Sequence, residues 1–262
     1  MNTNFNRAFT SKEGILMRKY KRVLIKLSGG ALADEFGNSF GTANLEHITD
    51  EILSLVEEGI EISVVIGGGN IFRGNLAQEW GINRVEADNI GTLGTIINSL
   101  MLRGVLTAKT DKEVRVMTSV PTPTVAEPYI RLRAVHHLEK GYIVIFGGGN
   151  GQPFVTTDYP SVQRAIETES DAILVAKQGV DGVFTADPKQ DSSAKMYERL
   201  NYNDVVQNNL KAMDQSALLL ARDFNLPVHV FNFLEKGAMK RICTGEAIGT
   251  LIHGGRTKVK AM

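Results

Sequence analysis

The chain has 262 residues, 43% hydrophobic and 22% charged, enough for one large domain or two small ones with a buried core. Lysine plus arginine (29) balances aspartate plus glutamate (29), which excludes a protein that coats nucleic acid or an anionic membrane through a global field. The single cysteine, Cys243, cannot form an intramolecular disulfide, and with no CxxC or Cys/His cluster a structural zinc is not expected.

Residues 1–16 are polar and lack the apolar segment of a secretory signal. They read as a disordered extension, or as the product of a start assigned upstream of Met17. Residues 17–262 read as one domain. No apolar run approaches the roughly 20 residues that span a bilayer, so a cytoplasmic protein is expected.

Strand-like and helix-like runs then alternate. Arg22 to Leu27 is a short apolar run stopped by Ser28-Gly29-Gly30. Leu45, Ile48, Ile52, Leu55 and Val56 recur on one helical face. Ile60 to Ile66 is halted by Gly67-Gly68-Gly69-Asn70. A long helix is predicted from about Val85 to Ala108, a strand over Val114–Met117 and a helix over Tyr129–Lys140. In that helix His136 and His137 point in different directions and read as solvent-facing or capping rather than metal-binding. Tyr142 to Phe146 runs into Gly147-Gly148-Gly149-Asn150-Gly151. A helix over Tyr159–Glu169, strands over Ala172–Ala176, Val228–Phe231 and Thr250–Ile252, and a solvated basic tail at Arg256–Lys260 complete the pattern. Apolar strands alternating with amphipathic helices predict an α/β fold, a three-layer sandwich around a central, mainly parallel sheet.

Three strands therefore end in glycine-rich loops, at the edge where parallel sheets bind ligands. Such loops bring backbone N–H groups close to an anion and suit phosphate. One cluster alone would be just a tight turn; three at equivalent positions indicate a site. No GxxxxGK[ST] loop is present, which excludes a P-loop kinase. GxGxxG fails at Phe72 and at Gln152, which disfavours a nicotinamide dehydrogenase, and no GxSxG elbow occurs. Charge of the right sign stands beside the glycines. Lys26 lies in an apolar strand, where an unpaired ammonium is costly. Arg73 offers a fork matched to phosphate oxygens, and Asp158 is placed to hold a catalytic lysine.

Together these segments resemble the amino acid kinase superfamily and, within it, the bacterial-type UMP kinases. The resemblance runs in order through Lys26-Leu27-Ser28-Gly29, Ile66 to Gly74, Asn83-Arg84-Val85 with Asp88, Gly149 to Asp158, Val180 to Pro188, Met213-Asp214 and Ala221-Arg222-Asp223. It implies an amino acid kinase-like fold and ATP-dependent phosphorylation of UMP to UDP, a step of pyrimidine nucleotide synthesis. By position it implies that Lys26, Leu27, Ser28, Gly29, Gly69 and Arg73 contact the donor phosphates. Gln178, Phe184 and Asp187 would line the ATP adenine and ribose. Gly68, Asp88, Asn150, Gly151, Gln152, Pro153, Phe154, Val155, Thr156 and Thr157 would hold UMP. Lys26, Arg73 and Asp158 are the implied catalytic set, with Lys177 and Asp214 near the phosphates.

The resemblance also implies a homohexamer, feedback inhibition by UTP and, in many members, activation by GTP. Gly30 departs from the glutamate usual after Lys-Leu-Ser-Gly. The segment Ala33 to Gly37 lies where GTP activation maps in relatives, and loops there vary. A phosphate acceptor is already nucleophilic at neutral pH, so positioning and charge neutralisation suffice. Mg²⁺ is expected with ATP, held through phosphates and water rather than by a protein cage. Two rivals remain. One is a kinase of this fold acting on a carboxylate or carbamate; the other is a non-catalytic nucleotide-binding or storage protein.

Overall fold

The computed structural model describes residues 18–260; the expectations for residues 1–16 and the boundary at 17 lie outside these described residues. Among the described residues ten strands form one sheet: β1 (Arg22–Leu27), β2 (Glu61–Ile66), β3 (Val114–Thr118), β4 (Glu127–Pro128), β5 (Ile143–Gly147), β6 (Ala172–Lys177), β7 (Tyr197–Asn201), β8 (Val228–Asn232), β9 (Thr250–His253) and β10 (Lys258–Val259). Their spatial order is β10-β7-β9-β8-β6-β1-β2-β5-β3-β4. From β8 to β4 every pairing is parallel. On the other side β9 runs antiparallel to β8, β7 parallel to β9, and β10 antiparallel to β7. The predicted three-layer arrangement is present.

The helices are α1 (Thr42–Glu57), α2 (Gly74–Glu79), α3 (Arg84–Thr107), α4 (Arg131–Glu139), α5 (Asp158–Glu167), α6 (Tyr202–Gln207), α7 (Gln215–Asp223) and α8 (Ala238–Cys243), with a 3-10 turn at Gly29–Ala31. They cover both faces, which is why β1 is buried along its whole length. Strand parity separates its side chains. Val23, Ile25 and Leu27 enter one core with Ile48, Ile52, Leu102 and Ile242. Leu24 enters the other with Val162, Ala165, Leu218 and Ala221. Lys26 shares the parity of Leu24, so it faces α5. Cys243 is buried, and burial pushes its thiol up to about 12.

Three expectations are corrected. By length and composition α3 is apolar enough to cross a membrane, contrary to the reading that no run approaches that length. Its composition has a different origin: one face packs on the sheet, while the other exposes Ile90, Leu93, Ile97 and Met101. The basic tail is not simply solvated, because Lys258–Val259 adds an edge strand and Lys258 pairs with Glu198 at 2.6 Å. His137 is half-buried, 3.1 Å from Glu127, and stacks on Tyr142, so it is neither solvent-facing nor a cap. His136 is exposed.

Candidate active site

The loops after β1, β2 and β5 converge at the carboxyl edge of the sheet. With the inner face of α3 they line a cleft of about 580 Å³. The loops interlock rather than merely adjoin. A Cβ on Gly29 would come within 2.6 Å of both Asn70 Oδ1 and the Gly69 nitrogen. One on Gly68 would collide with the Gly91 carbonyl oxygen on α3. Glycine is required at both points because backbone lies where a side chain would begin.

Lys26 projects from the centre of the sheet toward the first turn of α5, and its Nζ is 2.5 Å from Asp158 Oδ1. Both residues are under 10% exposed. Asp158 Oδ2 accepts the Asp214 N–H at 3.0 Å. Burial pushes the Asp158 carboxyl up, but Lys26, the Asp214 N–H and the more distant Lys177 outweigh it and hold it below the ordinary carboxylate range. Lys177, at the end of β6, is lowered by burial and by the like charge of Lys26, an effect that Asp158 and Asp214 oppose. The pair is tied onward, since Thr156 Oγ1 donates to Asp214 Oδ2 at 2.5 Å.

Arg73 lines the cleft from the mouth of α2, its Nε donating to the Gly69 carbonyl at 3.1 Å. Asp88, one turn into α3, receives the Arg84 Nε at 2.8 Å on each oxygen and the Phe154 N–H at 2.7 Å. That contact holds Phe154 at φ 66°, a left-handed conformation uncommon for a bulky residue.

The cleft brings together Lys26, Ser28, Gly29, Gly68, Gly69, Arg73, Asp88, Asn150, Gln152, Val155, Thr156 and Thr157 from the sequence-derived set. Asp158 touches it through Lys26. Leu27 turns its side chain into the core, leaving its carbonyl to accept the Gly67 N–H at 3.0 Å. Gly151, Pro153 and Phe154 belong to the same loop but do not line the cleft. Gln178, Phe184 and Asp187 lie outside it, in the segment after β6. Gln178 stands beside Gly30, Phe184 bridges to Met196, and Asp187 Oδ1 accepts the Lys189 N–H at 2.9 Å. Around Gly30 a Cβ meets nothing nearer than 3.8 Å, so packing does not demand the departure there. Gly91, Thr92 and Thr95 also line the cleft and escaped the sequence reading. The available signal was spacing: Gly91, Gly94, Thr95 and Asn98 put small and polar residues on one face of an otherwise apolar helix.

A cleft of crossed glycine loops with a buried lysine–aspartate pair at the carboxyl edge of a parallel sheet defines an α/β phosphotransferase site without a P-loop. The chain belongs to the amino acid kinase family, whose family model matches residues 21–232. A uridylate kinase from Frankia alni is 56% identical over 248 residues, covering 94% of this chain and 97% of the relative. The crystal structure of a UMP kinase from Bacillus anthracis is 77% identical, with a TM-score of 0.92 over 93% of this chain and all of that one. A UMP kinase structure from Ureaplasma parvum is 32% identical, with a TM-score of 0.84 over 90% of this chain and 99% of its own.

Proposed function

We propose that this chain is an ATP-dependent UMP kinase, its residues 17–262 acting as one catalytic unit in the cytoplasm. The observation that carries this is the cleft itself: the glycine-rich loops after β1, β2 and β5 meet around Lys26, in a chain 77% identical to a UMP kinase of known structure.

Two anions must approach in line, so the chain's work is orientation and charge neutralisation. Lys26 neutralises the transferring group, and Asp158 holds its ammonium in place. Arg73 spans the gap at the mouth. The loop Asn150–Thr157 wraps the UMP, with Asp88 toward the ribose. Gln178, Phe184 and Asp187 serve the donor nucleoside outside the central cleft. The acceptor phosphate needs no general base, since its second pKa is near 6.

Mg²⁺ fits this site when it is carried by ATP. Asp158 spends its oxygens on Lys26 and the Asp214 N–H, and Asp214 accepts from Thr156, so the natural ligands are phosphate oxygens and water. The ion would supply neutralisation of phosphate charge.

Assembly as a homohexamer belongs to the same proposal, with the exposed apolar stripe of α3 as a contact between copies. UTP is the candidate inhibitor and GTP the candidate activator. The test is ADP release with UMP, CMP, acetylglutamate or carbamate as acceptor, each with and without UTP and GTP. UMP alone should support rapid turnover. Turnover with acetylglutamate or carbamate instead, or tight ATP binding with no acceptor-dependent turnover, would replace this function with one of the two rivals.

A further inference from the structure

Asn98 lies in the middle of α3 with no solvent exposure, where an amide left unpaired is costly. Its Nδ2 donates to the Gly67 carbonyl and to Asn70 Oδ1, each at 2.7 Å. Asn70 Nδ2 donates back to Asn98 Oδ1 at 3.1 Å, forming a reciprocal amide pair. Asn70 Nδ2 also donates to the Ser39 carbonyl at 2.8 Å, and Ser39 Oγ to the Asn70 carbonyl at 3.0 Å. All four side-chain N–H bonds of the pair are thus used.

Gly29 rests on the same atoms. A Cβ there would lie 2.6 Å from Asn70 Oδ1 and 2.7 Å from the Gly67 oxygen, and these are the two acceptors of Asn98 Nδ2. One buried amide on α3 therefore fixes both oxygens against which the first glycine loop packs. One turn earlier, Thr95 Oγ1 accepts the Gly148 N–H at 2.8 Å, so the inner face of α3 holds the second and third loops in a single rigid frame.

We propose that Asn98 is a positioning residue for phosphoryl transfer. Through Asn70 and Gly67 it sets the height of the Gly29 loop against the acceptor loop, and so the distance the phosphoryl group must cross. This rests on the kinase function proposed above. A leucine would fill the same volume without leaving a buried polar group on α3, but it cannot hold the two oxygens. Misplacement by an ångström far from the reacting atoms is enough to slow a reaction that depends on alignment.

The test uses Asn98→Leu, Asn70→Ala and the double variant. Each single change should lower kcat at saturating ATP and UMP by about tenfold or more while KM for UMP moves by less than about threefold. The double variant should be no more than about threefold worse than the poorer single, because both changes break one unit. Amide hydrogen exchange gives a second readout that needs no substrate. The Ala31 and Leu32 N–H groups, which bond to Ser28 and Gly29, should exchange about tenfold faster in both single variants, with α1 unchanged.

Asn70→Ala alters a partly buried loop residue and keeps the test alive should Asn98→Leu fail to fold. Unchanged exchange at Ala31 and Leu32, kcat within about threefold of the unsubstituted chain, or losses that multiply in the double variant would overturn the proposal. If the unsubstituted chain ignores UMP, the kinase reading fails, and the exchange result alone decides for or against Asn98.

Discussion

A lysine in the middle of a fully covered strand must be paired or neutral. Lys26 is paired, and its partner is 132 residues later in sequence at the head of α5, where the helix dipole also favours a carboxylate. Removing one member of such a pair costs about 3–5 kcal/mol by leaving the other buried and alone, although here Lys177 stands by. Loss of stability and loss of catalysis are therefore separable by design. Lys26→Met should lower the melting temperature and cut turnover by about 100-fold or more. Lys26→Met combined with Asp158→Leu should recover much of the stability and none of the turnover. Recovery of turnover in the double variant, measured beside thermal unfolding, would remove Lys26 from the reaction and leave it a structural residue. Asp158, held below the ordinary carboxylate range, adds stability above that range that is lost as pH falls through its folded value.

At the scale of elements, α3 does two jobs on opposite faces. Its inner face carries Gly91, Thr95 and Asn98 against the glycine loops, while Ile90, Leu93, Ile97 and Met101 are 36–50% exposed on the outer one. An apolar stripe with this spacing is where the proposed assembly of copies would make contact. Leu93→Asp with Ile97→Asp should shift the chain to a smaller species in sedimentation velocity without unfolding it; an unchanged sedimentation coefficient would take α3 out of the assembly. Such faces explain what was legible. β1, β2, β5 and β6 are mostly apolar runs stopped by turn residues, because a parallel strand covered on both sides leaves few polar positions, Lys26 and Ser63 being among the buried exceptions. β7 was not legible: Tyr197-Glu198-Arg199-Leu200-Asn201 is polar because it lies near the sheet edge, and Glu198 is satisfied by Lys258, 60 residues away. The glycine loops and Lys26, Arg73 and Asp158 could be read locally from residue type. Asn98 could not, since a lone asparagine in an apolar helix reveals its role only beside Asn70.

At the scale of the whole molecule the two edges of the sheet do different work. The carboxyl edge is open and lined by loops; the amino edge is closed by fixed pairs. Asp171 Oδ2 accepts the backbone N–H groups of Lys21 and Arg22 at 2.7 and 2.9 Å, and Arg22 donates to Glu61 at 2.6 Å. The Tyr20 hydroxyl bonds to His229 Nε2 at 2.8 Å at the start of β8. Burial, with smaller contributions from Lys19 and His253, lowers His229 from 6.5 to about 3. Burial also raises the Tyr20 phenol, so both stay neutral across the physiological range. The sign of the linkage follows. Between pH 6.5 and about 3 the unfolded chain binds a proton at His229 that the folded chain refuses. Stability from this site is complete above the unfolded value and is lost as pH falls toward the folded one, by up to about 1.4 kcal/mol per pH unit. His229→Gln keeps an amide within reach of Tyr20 but cannot titrate. Urea unfolding from pH 7 down to 4, at one protein concentration, should therefore give the variant a flatter loss of stability than the unsubstituted chain. The difference should open only below the unfolded histidine pKa, because carboxylates common to both proteins cancel. Parallel profiles would mean that His229 takes up its proton in the folded state as readily as in the unfolded one, and that the amino edge opens to water well before the molecule unfolds.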